Sequence, residues 1–157
     1  GEIWCRSPQV MLGYWKRPED TDKAITPDNW FKTGDAGYID ADGYVYIHDR
    51  VKDMIVSGGE NVYPAEVENV LMSHPGIADV AVIGIPHEKW GEQVHAIVVA
   101  DGIDEATVIA HCKARLGGVK APKSVVFVDA IPRTAAGKMD KKALRIPYWG
   151  ENARMVN

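Results

Sequence analysis

Two apolar runs, Val80-Ala81-Val82-Ile83-Gly84-Ile85 and Val94-His95-Ala96-Ile97-Val98-Val99, decide the fold of this chain. Neither run alternates regularly between apolar and polar residues, so each predicts a strand that is covered on both faces of its sheet. The run Ser124-Val125-Val126-Phe127-Val128 supplies a third core strand. Together the three runs predict a small mixed sheet that needs helices packed against it.

Helical patterns separate these strands. Pro64 opens a predicted helix over residues 65–73, in which apolar residues recur every three or four positions. Asp104 is a predicted N-cap for a second helix that runs to Leu116 and that Gly117-Gly118 ends. The predicted fold class is therefore α+β, with a sheet of about three strands packed with helices.

Residues 1–49 have a different pattern, because glycine and proline interrupt them every few positions. The turn residues Asp40–Gly43 predict a β-hairpin, and Glu19–Ile25 predict one helical turn after a proline. This β-rich segment precedes the α+β part, and the polar stretch Asp49–Asp53 marks the junction. We place the domain boundary there, with a first domain over 1–49 and a second over 50–157.

Composition excludes several classes of protein. With 46% hydrophobic and 25% charged residues, the chain lacks the low hydrophobicity and high charge of disordered segments. No stretch approaches the roughly 20 apolar residues of a membrane-spanning helix. The net charge of −4 argues against a nucleic-acid partner. Cys5 and Cys112 cannot form a disulfide framework, which favours a cytoplasmic protein.

Two further absences shape the functional prediction. The five histidines show no metal-ligand spacing, and no nucleophile motif is present, so the sequence predicts neither a metal site nor nucleophilic catalysis. The chain opens at Gly1 without an initiator methionine or a signal peptide, and we expect it to be part of a longer protein.

Three polar clusters are candidates for chemistry. Thr33-Gly34-Asp35 is either ordinary turn sequence or a carboxylate held to accept two hydrogen bonds from a sugar diol. Asp49–Pro64 contains a short strand, Met54-Ile55-Val56, that ends at the double glycine Gly58-Gly59. Glycine there serves either a bend or the close approach of a ligand. Glu66 and Glu68, which follow near a helix N-terminus, are interpreted as structural.

The third cluster, Pro132–Leu144, is a loop of small residues that presents Lys138 after Gly137. It is either a mobile surface loop or a loop that offers an ammonium group to an oxyanion. The spacing of a P-loop is absent, since only one glycine precedes the lysine.

In this order and spacing, the three clusters resemble the C-terminal motifs of the adenylate-forming superfamily, which comprises acyl-CoA synthetases, peptide adenylation domains and luciferases. The resemblance extends over nearly the whole chain, from Gly1-Glu2-Ile3-Trp4 to Lys138. It implies that residues 1–49 finish a large N-terminal adenylation domain and that 50–157 form a mobile lid domain. The tail Lys141–Arg145 with Pro147-Tyr148-Trp149 resembles medium- to long-chain acyl-CoA synthetases.

The resemblance also implies roles for individual residues. Asp35 would bind the ribose of ATP or AMP, Arg50 would contact the ribose or a phosphate, and Lys138 would bridge the carboxylate and the α-phosphate. Lys52 falls at the hinge, and Ser57, Gly58 and Gly59 would line the channel for the pantetheine arm of CoA.

The implied reaction joins a carboxylate to ATP and then transfers the acyl group to a thiol. The implied partners are ATP, CoA, a carboxylic acid, the N-terminal domain and a lysine acetyltransferase acting on Lys138. Mg²⁺ is also implied, with its ligands outside this chain, as are the phosphate loop and acyl pocket. We therefore expect the chain to be inactive alone. Two alternatives remain open: an adenylation domain that loads a carrier-protein thiol, and a non-catalytic interaction module.

Overall fold

The structure, a computed structural model, describes residues 1–150 and divides into two compact units. The first is Gly1–Val51 and the second starts at Lys52, two residues beyond the predicted boundary. The assignment of the first unit to the end of a larger domain stays a prediction. Residues 151–157, which the predicted second domain includes, lie outside the described residues.

The first unit is a three-stranded antiparallel sheet in the order β1-β2-β3, formed by β1 (Glu2–Cys5), β2 (Phe31–Ile39) and β3 (Val45–Arg50). Helix α1 (Pro18–Ala24) lies between β1 and β2 in the chain. The predicted hairpin joins β2 to β3, and Asp40 fixes its turn because Oδ1 accepts hydrogen bonds from the backbone N–H groups of Asp42 and Tyr44.

The second unit contains a five-stranded mixed sheet, two strands more than the sequence predicts. Its strands are β4 (Ile55–Ser57), β5 (Glu60–Val62), β6 (Ile77–His87), β7 (Gly91–Ala100) and β8 (Ser124–Phe127). The order is β5-β4-β7-β6, and β8 pairs in parallel with β7 while the other pairs are antiparallel. Strand β4 corresponds to the predicted short strand Met54-Ile55-Val56, which the sequence analysis does not place in the three-stranded sheet. Strand β5 is not predicted, because its three residues are too few to show a periodic pattern.

Three helices pack on this sheet, namely α2 (Pro64–Met72), α3 (Glu105–Lys120) and α4 (Lys141–Trp149). The Asp104 side chain accepts a hydrogen bond from the Thr107 N–H at 2.8 Å, and Gly117 interrupts α3 with φ +77°, as predicted. Helix α4 was not predicted, because Pro147 inside it argues against a helix. Within residues 1–150, no helix is long and apolar enough to span a bilayer.

Both faces of the sheet are covered, which confirms the interpretation of the two apolar runs. Alternate residues of a strand point to opposite faces. Val80, Val82 and Val94 belong to a core cluster that includes Val67 and Leu71 of α2 and Val108 and Cys112 of α3. Ala81, Ile83 and Ile97 belong to a second cluster, against which Met139 and Leu144 pack. The loop that carries Lys138 and helix α4 therefore sit on the face opposite α2 and α3.

Candidate functional site

Asp35 and Arg50, which are fifteen positions apart in sequence, form an ion pair in the first unit. The two residues are direct partners across the antiparallel β2–β3 pair, and Arg50 Nη1 lies 2.9 Å from Asp35 Oδ1. The other carboxylate oxygen, Oδ2, receives no hydrogen bond within residues 1–150. The side chains are 27% and 51% exposed, so water weakens the pair and a polar ligand can reach it.

Gly34 allows this pair to form. Its φ is +74°, and a Cβ built on it would lie 3.0 Å from Arg50 Nη2. The Thr33 hydroxyl, which accepts a hydrogen bond from the Asp35 N–H at 3.1 Å and donates to the Ile3 carbonyl at 2.7 Å, fixes the neighbouring backbone. The motif Thr33-Gly34-Asp35 therefore lies within β2, and its glycine makes room for a guanidinium group.

Lys138 lies at the end of a tight loop on the second unit. The Thr134 N–H donates to the Lys138 carbonyl at 2.7 Å, and the Gly137 N–H donates to the Thr134 carbonyl at 2.8 Å. Gly137 has φ +78°, which the reversal of the chain requires. Lys138 is exposed, and none of the ion pairs within residues 1–150 involves it.

Two anchors hold this loop to the sheet. Arg133 Nη2 lies 2.6 Å from Asp79 Oδ2 on β6, and Met139 packs against the second core cluster. Arg133 also pairs with Met139 in an isolated β-bridge. The described geometry favours an anchored loop that presents an ammonium group over a mobile surface loop. The sequence analysis did not assign a role to Arg133.

Ser57, Gly58 and Gly59 form the turn between β4 and β5. Both glycines have positive φ, +60° and +87°, which side chains rarely adopt. The Gly58 N–H donates to the Trp90 carbonyl at 3.0 Å, so the turn is bound to the loop between β6 and β7. Ser57 is buried, whereas the two glycines are exposed.

A pocket of about 430 Å³ adjoins this turn, and the sequence analysis missed it. Gly58, Trp90 and Lys123 line it, together with Ser57, Glu60, Gly118 and Val119. The Trp90 ring stacks on His87 with centroids 4.3 Å apart, and Lys123 Nζ lies 5.6 Å from the Trp90 ring centroid. An aromatic face beside an ammonium group suits a nucleotide. Trp90 directly before Gly91 in a turn between two buried strands was the available signal.

Four titratable residues of the second unit, among them Glu66 and Glu68, which the sequence analysis interpreted as structural, have structural contacts or are buried. His95 is buried, with Nδ1 2.7 Å from Ser124 Oγ and Nε2 2.8 Å from the Tyr148 hydroxyl, and burial lowers its pKa. Burial also raises the pKa of Cys112 to about 11. Glu66 pairs with Lys120, and Glu68 Oε1 accepts a hydrogen bond from the Val82 N–H at 2.8 Å.

Comparison with known proteins shows what the chain is similar to. Residues 66–138 match the family described as AMP-binding enzyme C-terminal domain. The chain carries a domain of this family. It is 52% identical over 150 residues to the long-chain-fatty-acid–CoA ligase FadD13 of Mycobacterium tuberculosis, a match that covers 94% of this chain and 30% of the ligase. The fatty acid–[acyl-carrier-protein] ligase ScoC of Streptomyces coeruleorubidus is 47% identical, over 100% of this chain and 31% of that ligase.

Solved structures of the AMP-binding enzymes share the fold. ATP-bound MatB of Rhodopseudomonas palustris superposes with a TM-score of 0.86 at 43% identity, over 98% of this chain and 31% of MatB. Apo MatB has the same sequence identity and covers the same fractions of the two chains, but it superposes with a TM-score of only 0.66. The two structures of MatB therefore differ within the matched region. The chain spans about 30% of the length of the curated relatives above.

The predicted site residues are divided between the two units. Asp35 and Arg50 lie together in the first unit, while Lys138 and the Ser57–Gly59 turn lie in the second. Lys138 does not line the pocket beside Gly58. Among residues 1–150, no three His, Cys, Asp or Glu side chains are placed to hold a metal ion, so no step is assigned to Mg²⁺ in this chain.

Proposed function

We propose that the chain is the C-terminal part of an ATP-dependent acyl-CoA synthetase that acts on a fatty acid. In the first half-reaction a carboxylate oxygen attacks the α-phosphorus of ATP, and pyrophosphate leaves. In the second, a thiol sulfur attacks the acyl carbon, and AMP leaves. The observation that carries this proposal is the exposed Lys138 at the end of an anchored loop, in a chain whose residues 66–138 match the AMP-binding enzyme C-terminal domain.

Lys138 stabilises the negative charge shared by the attacking carboxylate and the α-phosphate. An ammonium group is a compact charge that needs no fixed planar partner. The two anchors of its loop hold the backbone that carries Lys138, which limits how far the loop has to move to present the ammonium group. A lysine acetyltransferase that modified Lys138 would remove this charge and stop adenylation.

Asp35 and Arg50 hold the nucleotide of ATP and of the acyl-adenylate. The open oxygen of Asp35, Oδ2, accepts hydrogen bonds from the ribose hydroxyls. Arg50 orients the carboxylate from the other side and remains half exposed, so that it can also meet the ribose or a phosphate.

Replacing Asp35 with alanine in the full-length enzyme should raise the KM for ATP roughly 10- to 100-fold, the equivalent of a lost hydrogen bond to a charged group. The measurement is ATP-dependent adenylate formation at varied ATP concentration. Asp42→Ala, in the turn of the same hairpin, is the matched control and should leave the KM unchanged. An unchanged KM in Asp35→Ala would contradict the nucleotide role.

Lys52 is the proposed hinge about which the second unit moves between the half-reactions. It is exposed at the first position of the second unit, in the short 3₁₀ turn Val51–Asp53. The different TM-scores of ATP-bound and apo MatB support a rearrangement in that family member. Short hinges of this kind absorb large changes in backbone angles.

CoA is the proposed acyl acceptor. The Ser57–Gly59 turn admits the pantetheine arm because its glycines present no side chain, and the neighbouring pocket takes the nucleotide end of CoA. Trp90 offers an aromatic face for adenine, and Lys123 offers a positive charge for phosphate.

A carrier-protein thiol is the second candidate acceptor, because ScoC, an acyl-carrier-protein ligase, matches the whole chain. Rates with CoA and with a phosphopantetheinylated carrier protein, measured on one preparation of full-length enzyme, distinguish the two. The exposed Lys138 and the Asp35–Arg50 pair argue against a third possibility, a non-catalytic module, which needs none of these groups. A cytoplasmic location stays a prediction.

A larger partner domain completes the enzyme. The first unit exposes a group of large apolar residues, with Ile39 65%, Tyr44 68% and Ile47 65% exposed. Ile39 and Ile47 share one face of the β2–β3 pair by its register, and large exposed apolar side chains of this kind usually meet another protein surface. The N-terminal domain of the same enzyme is the proposed cover, and it would supply the phosphate loop, the acyl pocket and the Mg²⁺ ligands.

The isolated chain should therefore show no carboxylate-dependent ATP–pyrophosphate exchange. The phosphate loop and the acyl pocket are proposed to belong to the N-terminal domain, so Lys138 alone would have neither the triphosphate nor the acid held in place beside it. The measurement is exchange of labelled pyrophosphate into ATP with a panel of fatty acids, with the full-length enzyme as the positive control. Exchange by the isolated chain above the background without a carboxylate would contradict this division of function.

A further inference from the structure

Asp53, the residue directly after Lys52, is tied into the body of the second unit. Its Oδ1 lies 3.0 Å from Nη1 of Arg145, and the two side chains are only 12% and 13% exposed. Ninety-two positions separate the two residues in sequence. Because a buried carboxylate needs a partner, this ion pair fixes where Asp53 can lie.

Arg145 comes from a helix that is itself held firmly. Apart from Arg145, three residues of α4 bind other elements of the second unit. Lys141 Nζ lies 2.8 Å from Glu68 Oε1, the Tyr148 hydroxyl lies 2.8 Å from His95 Nε2, and the Trp149 Nε1–H donates to the Gly84 carbonyl at 2.9 Å. These partners belong to α2, β7 and β6. Arg145 therefore connects Asp53 to the whole unit.

The position of this connection matters for a hinge. If the backbone rotates at Lys52, the backbone angles of Asp53 cannot change with it while Arg145 holds the Asp53 carboxylate. We propose that the Asp53–Arg145 pair is a positioning pair that confines the pivot to Lys52 and so sets where the second unit stops in each half-reaction. This inference rests on the proposed function, because it concerns the movement between the two half-reactions.

A merely structural pair and a positioning pair differ in what their loss does. A structural pair would change stability alone. A pair that defines the pivot affects both half-reactions, because the Lys138 loop and the Ser57–Gly59 turn are carried by the same unit. Loss of Lys138 itself affects adenylation only. The KM values for ATP and CoA stay unchanged, since neither Asp53 nor Arg145 belongs to a proposed substrate site.

The test compares Arg145→Met with Lys141→Met in the full-length enzyme. Both changes break an ion pair of α4 with nearly equal burial, but only Arg145 reaches the residue beside the hinge. Arg145→Met should lower kcat in both half-reactions, measured separately, by roughly 10- to 100-fold, the size of effect that misplacement of reacting groups produces. Lys141→Met should leave both rates close to wild type. Equal rates in the two variants would overturn the proposal.

Trypsin cleavage after Lys52 gives a readout that does not depend on the reaction. In the wild-type protein the anchored Asp53 should protect the Lys52–Asp53 bond, and Arg145→Met should increase its cleavage severalfold because local opening controls such cleavage. Asp53→Asn, which removes the charge and keeps the shape, should give a smaller increase of the same kind and serves if Arg145→Met does not fold. Unchanged cleavage in Asp53→Asn and in any folded Arg145→Met overturns the inference. A Lys138→Ala enzyme with normal adenylation overturns the proposed function instead.

Discussion

Replacing Lys138 with alanine in the full-length enzyme should lower the rate of adenylation by on the order of 10²–10³-fold. Lys138 is exposed at the end of its loop, and alanine leaves the loop hydrogen bonds between Thr134, Gly137 and the residue 138 backbone intact. Thioesterification of supplied acyl-adenylate should be largely retained, because the thiol is proposed to enter beside the Ser57–Gly59 turn. Pyrophosphate release and acyl-CoA formation from synthetic acyl-adenylate measure the two steps separately.

Lys142 provides the matched control for this substitution. It is also an exposed lysine, four residues further on at the start of α4. Lys142→Ala removes the same charge and should leave both half-reactions unchanged. If Lys138→Ala instead reduced both half-reactions equally, the proposed division of labour between the loop and the turn would be wrong.

Replacing Gly58 with leucine should have the opposite effect, with thioesterification lowered about 10²-fold and adenylation retained. Gly58 lines the pocket beside the turn, and a Cβ built on it would lie 3.6 Å from Cδ1 of Trp90. The remainder of a leucine side chain would then occupy space that we assign to CoA. The measurement is the rate of acyl transfer from acyl-adenylate to CoA at saturating CoA.

Gly102 separates this effect from the cost of the backbone conformation. Its φ of +69° is close to the +60° of Gly58, and a Cβ on it meets nothing within 4 Å. Gly102→Leu therefore carries a similar strain, about 1–2 kcal/mol for a left-handed residue with a side chain, without filling the pocket. A loss of thioesterification as large in Gly102→Leu as in Gly58→Leu would refute the assignment of the pocket.

The strands of the second unit could be predicted where their pattern was long. The run Val80–Ile85 indicated burial on both faces, and the structure confirms it with one core cluster on each side. The short strand β4 was predicted as Met54-Ile55-Val56, but its place in the sheet was not, and β5 was missed, because pairing with neighbours stabilises such three-residue strands more than their own sequence does. Helix α4 was missed because Pro147 disfavours a helix locally, while its tertiary contacts outweigh that preference.

The candidate site was predictable to a similar extent. Its motifs in series indicated the enzyme family, and the family match confirms the resemblance. The pairing of Asp35 with Arg50 depends on the register of β2 and β3. Predicting a hairpin from its turn does not say which residues of the two strands are partners. The pocket of Trp90 and Lys123 joins residues more than thirty positions apart, so no local pattern could reveal it.

Local pattern and residue type were enough to predict the α+β class, the buried strands and the candidate side chains Asp35, Arg50 and Lys138. Which charged side chains have partners depends on the tertiary structure. It bound the Lys138 loop through Arg133 to Asp79, and it joined Asp53 to Arg145 across ninety-two positions. Ion pairs between distant residues form only when packing of the core brings their elements together, and that packing is a property of the whole unit.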